Sequence, residues 1–312
     1  METATVVSDI VTEANGVVSL SLTAADGGTL PAWEPGAHID LLLSPGLERQ
    51  YSLCGDPSDV GTWRVAVLRE PESRGGSQFV HEKLAVGDQL TCRGPRNNFA
   101  LTEADACVFV AGGIGITPII PMVAACEAAG RPWHLVYGGR GLDSMAFKRQ
   151  LARYGDKVTF WPQDTKGLID LDALLGEAQD GTAVYCCGPG PLLDAVQAKC
   201  AHWPEGALHV ERFRPKAGAL DGENRPFQVV LDHSGMELTV PADRSLVDVI
   251  EEAGVHVPTS CREGTCGTCE TVVLEGTPDH RDSFLTPQEK ESGEIMMVCC
   301  SRAISDRLVL DL

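Results

Sequence analysis

The sequence predicts a multidomain β, α/β and small-β chain: an antiparallel β-barrel, a doubly wound parallel sheet, and a compact strand-rich domain around a cysteine loop. Three observations carry this. Short apolar runs separated by Gly, Pro, Asp and Asn fill residues 1–103. Apolar runs then alternate with helical stretches over 104–214. Near the C-terminus four cysteines, Cys261, Cys266, Cys269 and Cys299, are spaced C-x4-C-x2-C with the fourth about thirty residues on.

In the first segment the runs at 6–7, 17–22, 38–43, 51–53, 63–68 and 89–92 read as short antiparallel strands, interrupted by one helical stretch at 77–85. In the second, strands at 106–111, 134–137, 158–161, 183–186 and 208–210 alternate with helices at 118–129, 144–154, 170–178 and 191–201. Residues 215–225 are polar and rich in small residues, which predicts a flexible tether. The last segment, 226–312, opens with a hairpin (227–231 and 237–240). A helix capped by Ser245 over 246–253 follows, then the cysteine loop, a strand at 270–274 and a final pair of strands. No internal repeat is present.

Composition narrows the function classes. A chain of 312 residues suits two or three domains, and no apolar run approaches the roughly 18 residues that span a membrane. The start, Met1-Glu2-Thr3-Ala4-Thr5, lacks the basic and apolar regions of a signal peptide. Twelve cysteines in so long a chain do not suggest a disulfide scaffold; Cys107, Cys126, Cys186 and Cys187 sit in hydrophobic runs and read as small buried residues, so a reducing cytoplasm is expected. The net charge of −19 argues against nucleic acid and anionic membranes. Residues 226–312 hold sixteen Asp/Glu against six Lys/Arg, so −10 of that charge lies there. Generic solubility and an acidic docking face both account for it.

The cysteine spacing is the plant-type [2Fe–2S] ligand pattern. In Cys261-Arg262-Glu263-Gly264-Thr265-Cys266-Gly267-Thr268-Cys269, glycines 264 and 267 can take positive φ and turn backbone N–H groups toward the sulfurs. A zinc ribbon would present two C-x2-C pairs, whereas only Cys266/Cys269 has that spacing. Cys299 and Cys300 are adjacent; on a strand they would face opposite ways, so one ligates.

Four further stretches suit phosphates and aromatic rings. Arg49-Gln50-Tyr51-Ser52 puts a cation, a ring and a hydroxyl on one strand, and Arg74-Gly75-Gly76-Ser77 is a glycine turn opening a helix. Gly112-Gly113-Ile114-Gly115-Ile116-Thr117-Pro118 and Cys187-Gly188-Pro189-Gly190-Pro191 each leave a strand and start a helix, at the edge where parallel sheets bind ligands. Neither is the G-x-G-x-x-G fingerprint.

With these motifs in this order, the whole chain resembles the phthalate dioxygenase reductase family, which includes vanillate demethylase reductases. The resemblance implies a flavin-binding barrel (1–103), an NAD-binding domain (104–214), a linker (215–225) and a ferredoxin domain of β-grasp type (226–312). It selects Cys299 as the fourth iron ligand, through the x-Ser-Arg-Ala run after it. It implies FMN, held by Arg49, Tyr51, Ser52, Ala66, Val67, Leu68, Arg74, Gly75, Gly76 and Ser77. It implies a nicotinamide nucleotide at Gly112, Gly113, Gly115, Thr117, Arg140, Cys187, Gly188 and Pro189, with Thr117 near the nicotinamide and Cys187 favoured over Cys186 beside the hydride path. Phe213 would cover the flavin. Arg140 invites a 2′-phosphate, but the Ser-Arg pair of NADPH binders is missing, so NADH is expected. The implied activity is electron transfer from NADH through FMN and the [2Fe–2S] cluster to a Rieske-type oxygenase docking on the acidic ferredoxin domain, by a monomer. A P450 monooxygenase is the alternative acceptor, and a ferredoxin-like carrier without reductase activity the alternative function. His134, His209 and the His280-Arg281-Asp282 run read as scaffold.

Overall fold

The computed structural model describes residues 1–312. It divides into two compact units, residues 1–211 and 212–312.

The first unit begins with β1 (Glu2–Ala14), β2 (Val17–Ala24), β3 (His38–Ser44), β4 (Leu47–Ser52), β5 (Trp63–Leu68), α1 (Gly76–Glu82) and β6 (Gln89–Arg96). The six strands pair antiparallel in the order β4-β3-β6-β1-β2-β5. Alternation puts Leu20, Leu22 and Ala24 of β2 into the barrel core, while Val17 and Ser19 on its other face are also buried, Val17 in the core shared with the parallel sheet. Bulges in β1 and β3 increase the twist, and a bridge from Leu53 to Val65 brings the edge strands β4 and β5 together, closing a barrel.

The unit continues with β7 (Ala106–Gly112), α2 (Ile116–Ala128), β8 (Trp133–Gly139), α3 (Lys148–Ala152), β9 (Val158–Pro162), α4 (Gln163–Lys166), α5 (Leu171–Leu175), β10 (Thr182–Cys187), α6 (Gly190–Lys199) and β11 (Leu208–Glu211). All five strands are parallel, in the order β11-β10-β7-β8-β9. The chain reverses direction across the sheet between β7 and β10, so a crevice opens past their C-terminal ends. Barrel and sheet share a core: Val17, Cys54, Ala66 and Phe99 pack in one cluster with Phe109, Ile116, Tyr185 and Cys187.

Two helices are shorter than the sequence suggests. Over 144–154 only α3 is helical, because Met145, Ala146 and Phe147 are drawn into the core and Phe147 takes a left-handed φ of 59°. Burial there outweighs helix propensity. α5 stops before Gly176, its start fixed by the Asp170 carboxylate accepting the Ala173 N–H.

The second unit contains β12 (Phe227–Leu231), β13 (Met236–Val240), α7 (Leu246–Glu252), β14 (Glu270–Glu275), β15 (Pro278–Asp279), α8 (Pro287–Ser292), β16 (Ile295–Met297), β17 (Arg302–Ala303) and β18 (Arg307–Leu310). Its main sheet runs β13-β12-β18-β14-β16, with α7 packed beside it. Ser245 caps α7 by accepting the Asp248 N–H, and Thr286 and Glu289 close a capping box on α8. Cys299 and Cys300 lie in a turn rather than on a strand, since β16 ends at Met297 and the N–H groups of Cys300 and Ser301 both return to the Met297 carbonyl. The opposite-faces argument therefore does not choose between the two thiols. Residues of the 215–225 segment are fastened to this unit. Ser283 Oγ accepts the Lys216 N–H, Arg281 donates to Asn224 Oδ1 and the Glu223 carbonyl, and Arg302 donates to the Arg225 carbonyl.

Candidate redox site

The cysteine loop of the second unit folds tightly on itself. Arg262, Gly264 and Gly267 have φ of 54°, 69° and 73°. The two glycines have a second reason. A Cβ on Gly264 would lie 2.5 Å from Cys300 Sγ and 2.8 Å from the Asp282 backbone, and one on Gly267 would lie 2.5 Å from the Phe284 ring. The loop turns N–H groups inward: Glu263 and Thr265 both donate to Cys261 Sγ at 3.4 Å. Cys261 contacts the thiols of Cys266 and Cys299, and Cys299 also contacts those of Cys269 and Cys300. Those neighbouring thiols and the inward N–H groups hold the Cys261 thiol far below its ordinary range. No three His, Cys, Asp or Glu side chains converge closely enough for one metal ion; the thiolate set of a two-iron cluster is wider. Cys266, Cys269 and Cys299 are buried. The donor set of four thiols with inward N–H groups fits a [2Fe–2S] cluster.

The turn sets the adjacent pair apart. Cys299 touches two of the loop thiols, whereas Cys300 reaches Cys299, the Met297 carbonyl and Ser301. Scaffold surrounds them: buried Asp282 accepts the N–H groups of Phe284 and Leu285, and Arg281 N–H reaches Ser301 Oγ.

In the first unit, the two stretches read as phosphate and flavin contacts meet. Arg49 on β4 donates to the Arg74 carbonyl, and its side chain occupies the space a Cβ on Gly76 would need, 2.4 Å away. Gly75 is the left-handed residue before α1, with φ of 90°. Ser77 Oγ accepts the Glu70 N–H and donates to Ser73 Oγ, tying the turn shut. Arg49 and the 74–77 turn thus form one cationic, N–H-lined corner. Tyr51 packs against the barrel core, and burial pushes its hydroxyl up to about 12. Ala66 and Val67 have core-facing side chains, and the Val67 carbonyl contacts the His81 ring, so contacts from this strand run through backbone.

The two glycine loops also abut. A Cβ on Gly115 would lie 2.3 Å from the Cys187 carbonyl oxygen, and one on Gly112 would lie 2.7 Å from the Pro189 ring. Thr117 is buried and donates to the Ile114 carbonyl, bracing the turn. Arg140 is exposed at the end of β8, and the Asp164 carboxylate lies next to the adjoining Gly141, 2.7 Å from where its Cβ would be. Phe213, in the second unit, is 39% exposed.

One residue that the sequence reading passed over joins these pieces. Glu211 ends β11, and its Oε2 accepts from Ser52 Oγ at 3.5 Å and lies 3.9 Å from Cys187 Sγ. Enclosure of this carboxyl raises its pKa to about 8, so it is protonated at neutral pH. Burial, then the nearby carboxyl, push the Cys187 thiol well above its ordinary range. The signal in the sequence was a glutamate at the carboxyl edge of a parallel strand, where ligands bind.

A barrel with a phosphate corner, a parallel sheet with paired glycine loops and a four-thiol loop together define a flavin- and nicotinamide-dependent iron–sulfur reductase. Comparison with known proteins agrees. Residues 229–303 match the 2Fe-2S iron-sulfur cluster binding domain, and residues 109–198 the oxidoreductase NAD-binding domain. The chain is 42% identical over 302 residues to phenoxybenzoate dioxygenase subunit beta of Ectopseudomonas oleovorans, covering 96% of this chain and 94% of that one. The solved phthalate dioxygenase reductase, described as a modular structure for electron transfer from pyridine nucleotides to [2Fe–2S], is 37% identical and covers 100% and 98% of the two chains with a TM-score of 0.74. An intact type IV self-sufficient cytochrome P450 monooxygenase is 44% identical, covering 100% of this chain but 41% of its own, with a TM-score of 0.90. The chain belongs to the phthalate dioxygenase reductase family, the reductase components of oxygenase systems.

Proposed function

We propose that this protein delivers electrons from NADH, through FMN and a [2Fe–2S] cluster, to a Rieske-type non-haem iron oxygenase acting on an aromatic or small organic acid. The observation that carries the reading is the meeting of Ser52, Cys187 and Glu211 where the R-x-Y-S strand joins the paired glycine loops. When bound, FMN takes two electrons from a hydride and releases them singly, which matches a one-electron cluster.

The residues have separate tasks. Arg49 and the N–H groups of residues 74–77 hold the flavin phosphate, with Tyr51, Ser52 and the backbone of Ala66, Val67 and Leu68 along the ring. The loops at Gly112, Gly113 and Gly115 and at Gly188 and Pro189 admit a pyrophosphate closely, and Thr117 and Cys187 flank the nicotinamide. Glu211, neutral and enclosed, fixes Ser52 and Cys187 without placing a buried charge beside the ring. Asp164 next to Gly141 disfavours a 2′-phosphate at Arg140, which supports NADH. Phe213 is the flavin cover. Cys261, Cys266, Cys269 and Cys299 hold the irons. The protein acts as a monomer, and the partner docks on the acidic surface of residues 226–312.

Similarity to the reductase portion of a P450 fusion favours a second reading, in which a P450 is the acceptor. An anaerobic visible titration with NADH and then NADPH tests the first. Loss of both flavin and iron–sulfur absorbance on NADH, with NADPH far slower, is expected. Protein that neither carries nor takes up FMN would overturn it. Turnover with a purified Rieske oxygenase or with a P450 separates the acceptors.

A further inference from the structure

Far from the nucleotide loops, at the opposite end of the parallel sheet, lies a pair of thiols that the electron path does not use. Cys107 is near the start of β7, paired in register with Trp133, and Cys126 lies toward the end of α2. Both are 1% exposed, and their thiols are hydrogen-bonded to each other. Arg131, in the turn after α2, places Nη1 3.8 Å from Cys107 Sγ. That side chain is anchored by donation to the Thr102 carbonyl at 2.9 Å, and its backbone N–H donates to the Cys126 carbonyl at 2.9 Å. The effect on reactivity is specific. Burial pushes the thiols of Cys54, Cys92, Cys187 and Cys200 upward, whereas the Cys126 S–H and then the guanidinium bring Cys107 down to about 7. A thiolate beside a second thiol has a nucleophile and its resolving partner already in contact.

We propose that Cys107 and Cys126 form a reversible dithiol–disulfide site oxidised by hydroperoxide. The Cys107 thiolate attacks one peroxide oxygen; the O–O bond breaks, leaving a sulfenic acid and a hydroxide that is protonated to water. Cys126 sulfur then attacks the sulfenic sulfur, forming the S–S bond, and its proton leaves with the expelled hydroxide as a second water. Two electrons pass from the sulfurs to the peroxide. The closed segment from 107 to 126 contains Gly112, Gly113, Gly115 and Thr117, so the bond clasps together the strand and helix that carry the nucleotide turn. Both thiols are 1% exposed, so the peroxide reaches them by local opening of the fold. The inference does not depend on which oxygenase is served.

The sequence makes the test direct. Trypsin cuts after Arg96 and, because Pro132 protects the bond after Arg131, next after Arg140, so it releases residues 97–140 as one peptide holding both thiols and no other cysteine. The holoprotein is treated with a few equivalents of hydrogen peroxide, alkylated under denaturing, non-reducing conditions, and mapped by mass. The expected result is a 97–140 peptide two hydrogen masses lighter and without alkyl label, restored to the doubly labelled form by dithiothreitol. It should appear before Cys54, Cys92 or Cys200 loses label, and Cys126→Ser should yield a Cys107 oxyacid in its place. A wild-type 97–140 peptide still doubly labelled when other buried thiols are oxidised, or one carrying Cys107 sulfinic acid without the bond, would overturn the proposal. The wild-type map decides the matter even if the variant fails to fold.

Discussion

At the scale of single residues, protonation state is the property the sequence hides and the fold sets. Glu211 looks like any strand-end glutamate, yet enclosure between Ser52 and Cys187 moves its carboxyl from the ordinary value of 4.5 to about 8. The folded state therefore keeps a proton that the unfolded chain releases near pH 4.5. Between those two pH values the native state binds more protons, so stability falls as pH rises through that window. The expected outcome is a Tm that declines from pH 5 to pH 8.5, with Glu211→Gln flattening the slope because a neutral amide keeps its hydrogen bonds at every pH. Scanning calorimetry of both proteins across that range checks it; parallel slopes would show that Glu211 is not the titrating group. The cysteine loop was legible because C-x4-C-x2-C is itself a geometric statement. Cys299 was preferred over Cys300 through the resemblance and not through the spacing, which cannot show the turn that brings Cys299 to Cys261 and Cys269.

At the scale of elements, strands were readable where apolar alternation or continuous burial left one solution, as in β2, β5, β7 and β10. Short helices were less so: the segment before α3 sacrifices helix to bury Met145 and Phe147. The two nucleotide loops were found as separate glycine motifs, but their mutual contact could not be read from either. That contact gives a prediction through two glycines with different reasons for being glycine. Gly113 has φ of 56° with open space around it, so Gly113→Ala costs only backbone strain, about 1–2 kcal/mol. Gly115 has no such φ, but its Cβ would overlap the Cys187 carbonyl, which is backbone and cannot swing aside. Gly115→Ala should part the loops and lower kcat/KM for NADH by about 10²-fold, with flavin content unchanged. Steady-state reduction of ferricyanide by both variants measures this. Equal behaviour of the two would mean that the loops do not hold the nucleotide jointly.

At the scale of the whole molecule, charge is the remaining lever. Residues 226–312 carry six cations, and all six are engaged within that unit. Arg244 pairs with Glu252, Arg262 with Asp248 and Glu251, Arg281 with Asp279, Lys290 with Asp282 and Arg307 with Glu275. Arg302 donates to the carbonyls of Arg225, Pro241 and Arg244. Sixteen acidic residues against those six cations leave residues 226–312 with a surplus of ten negative charges, and reduction of a cluster would add to it. A field of that sign steers a basic partner over roughly a Debye length, about 10 Å at 0.1 M salt, and is screened as salt rises. Electron transfer to the oxygenase should therefore slow steeply between 0.05 and 0.5 M NaCl (on the order of tenfold), mainly through KM for the oxygenase. NADH-to-ferricyanide turnover should change far less, because that small acceptor does not need the docking face. If both activities fall together, salt is acting on the nucleotide site or on folding, and the acidic face is no more than a solubilising surface. If neither falls, the partner docks through uncharged groups, such as exposed Val272 and Leu274 of β14, Met236 and Ile304.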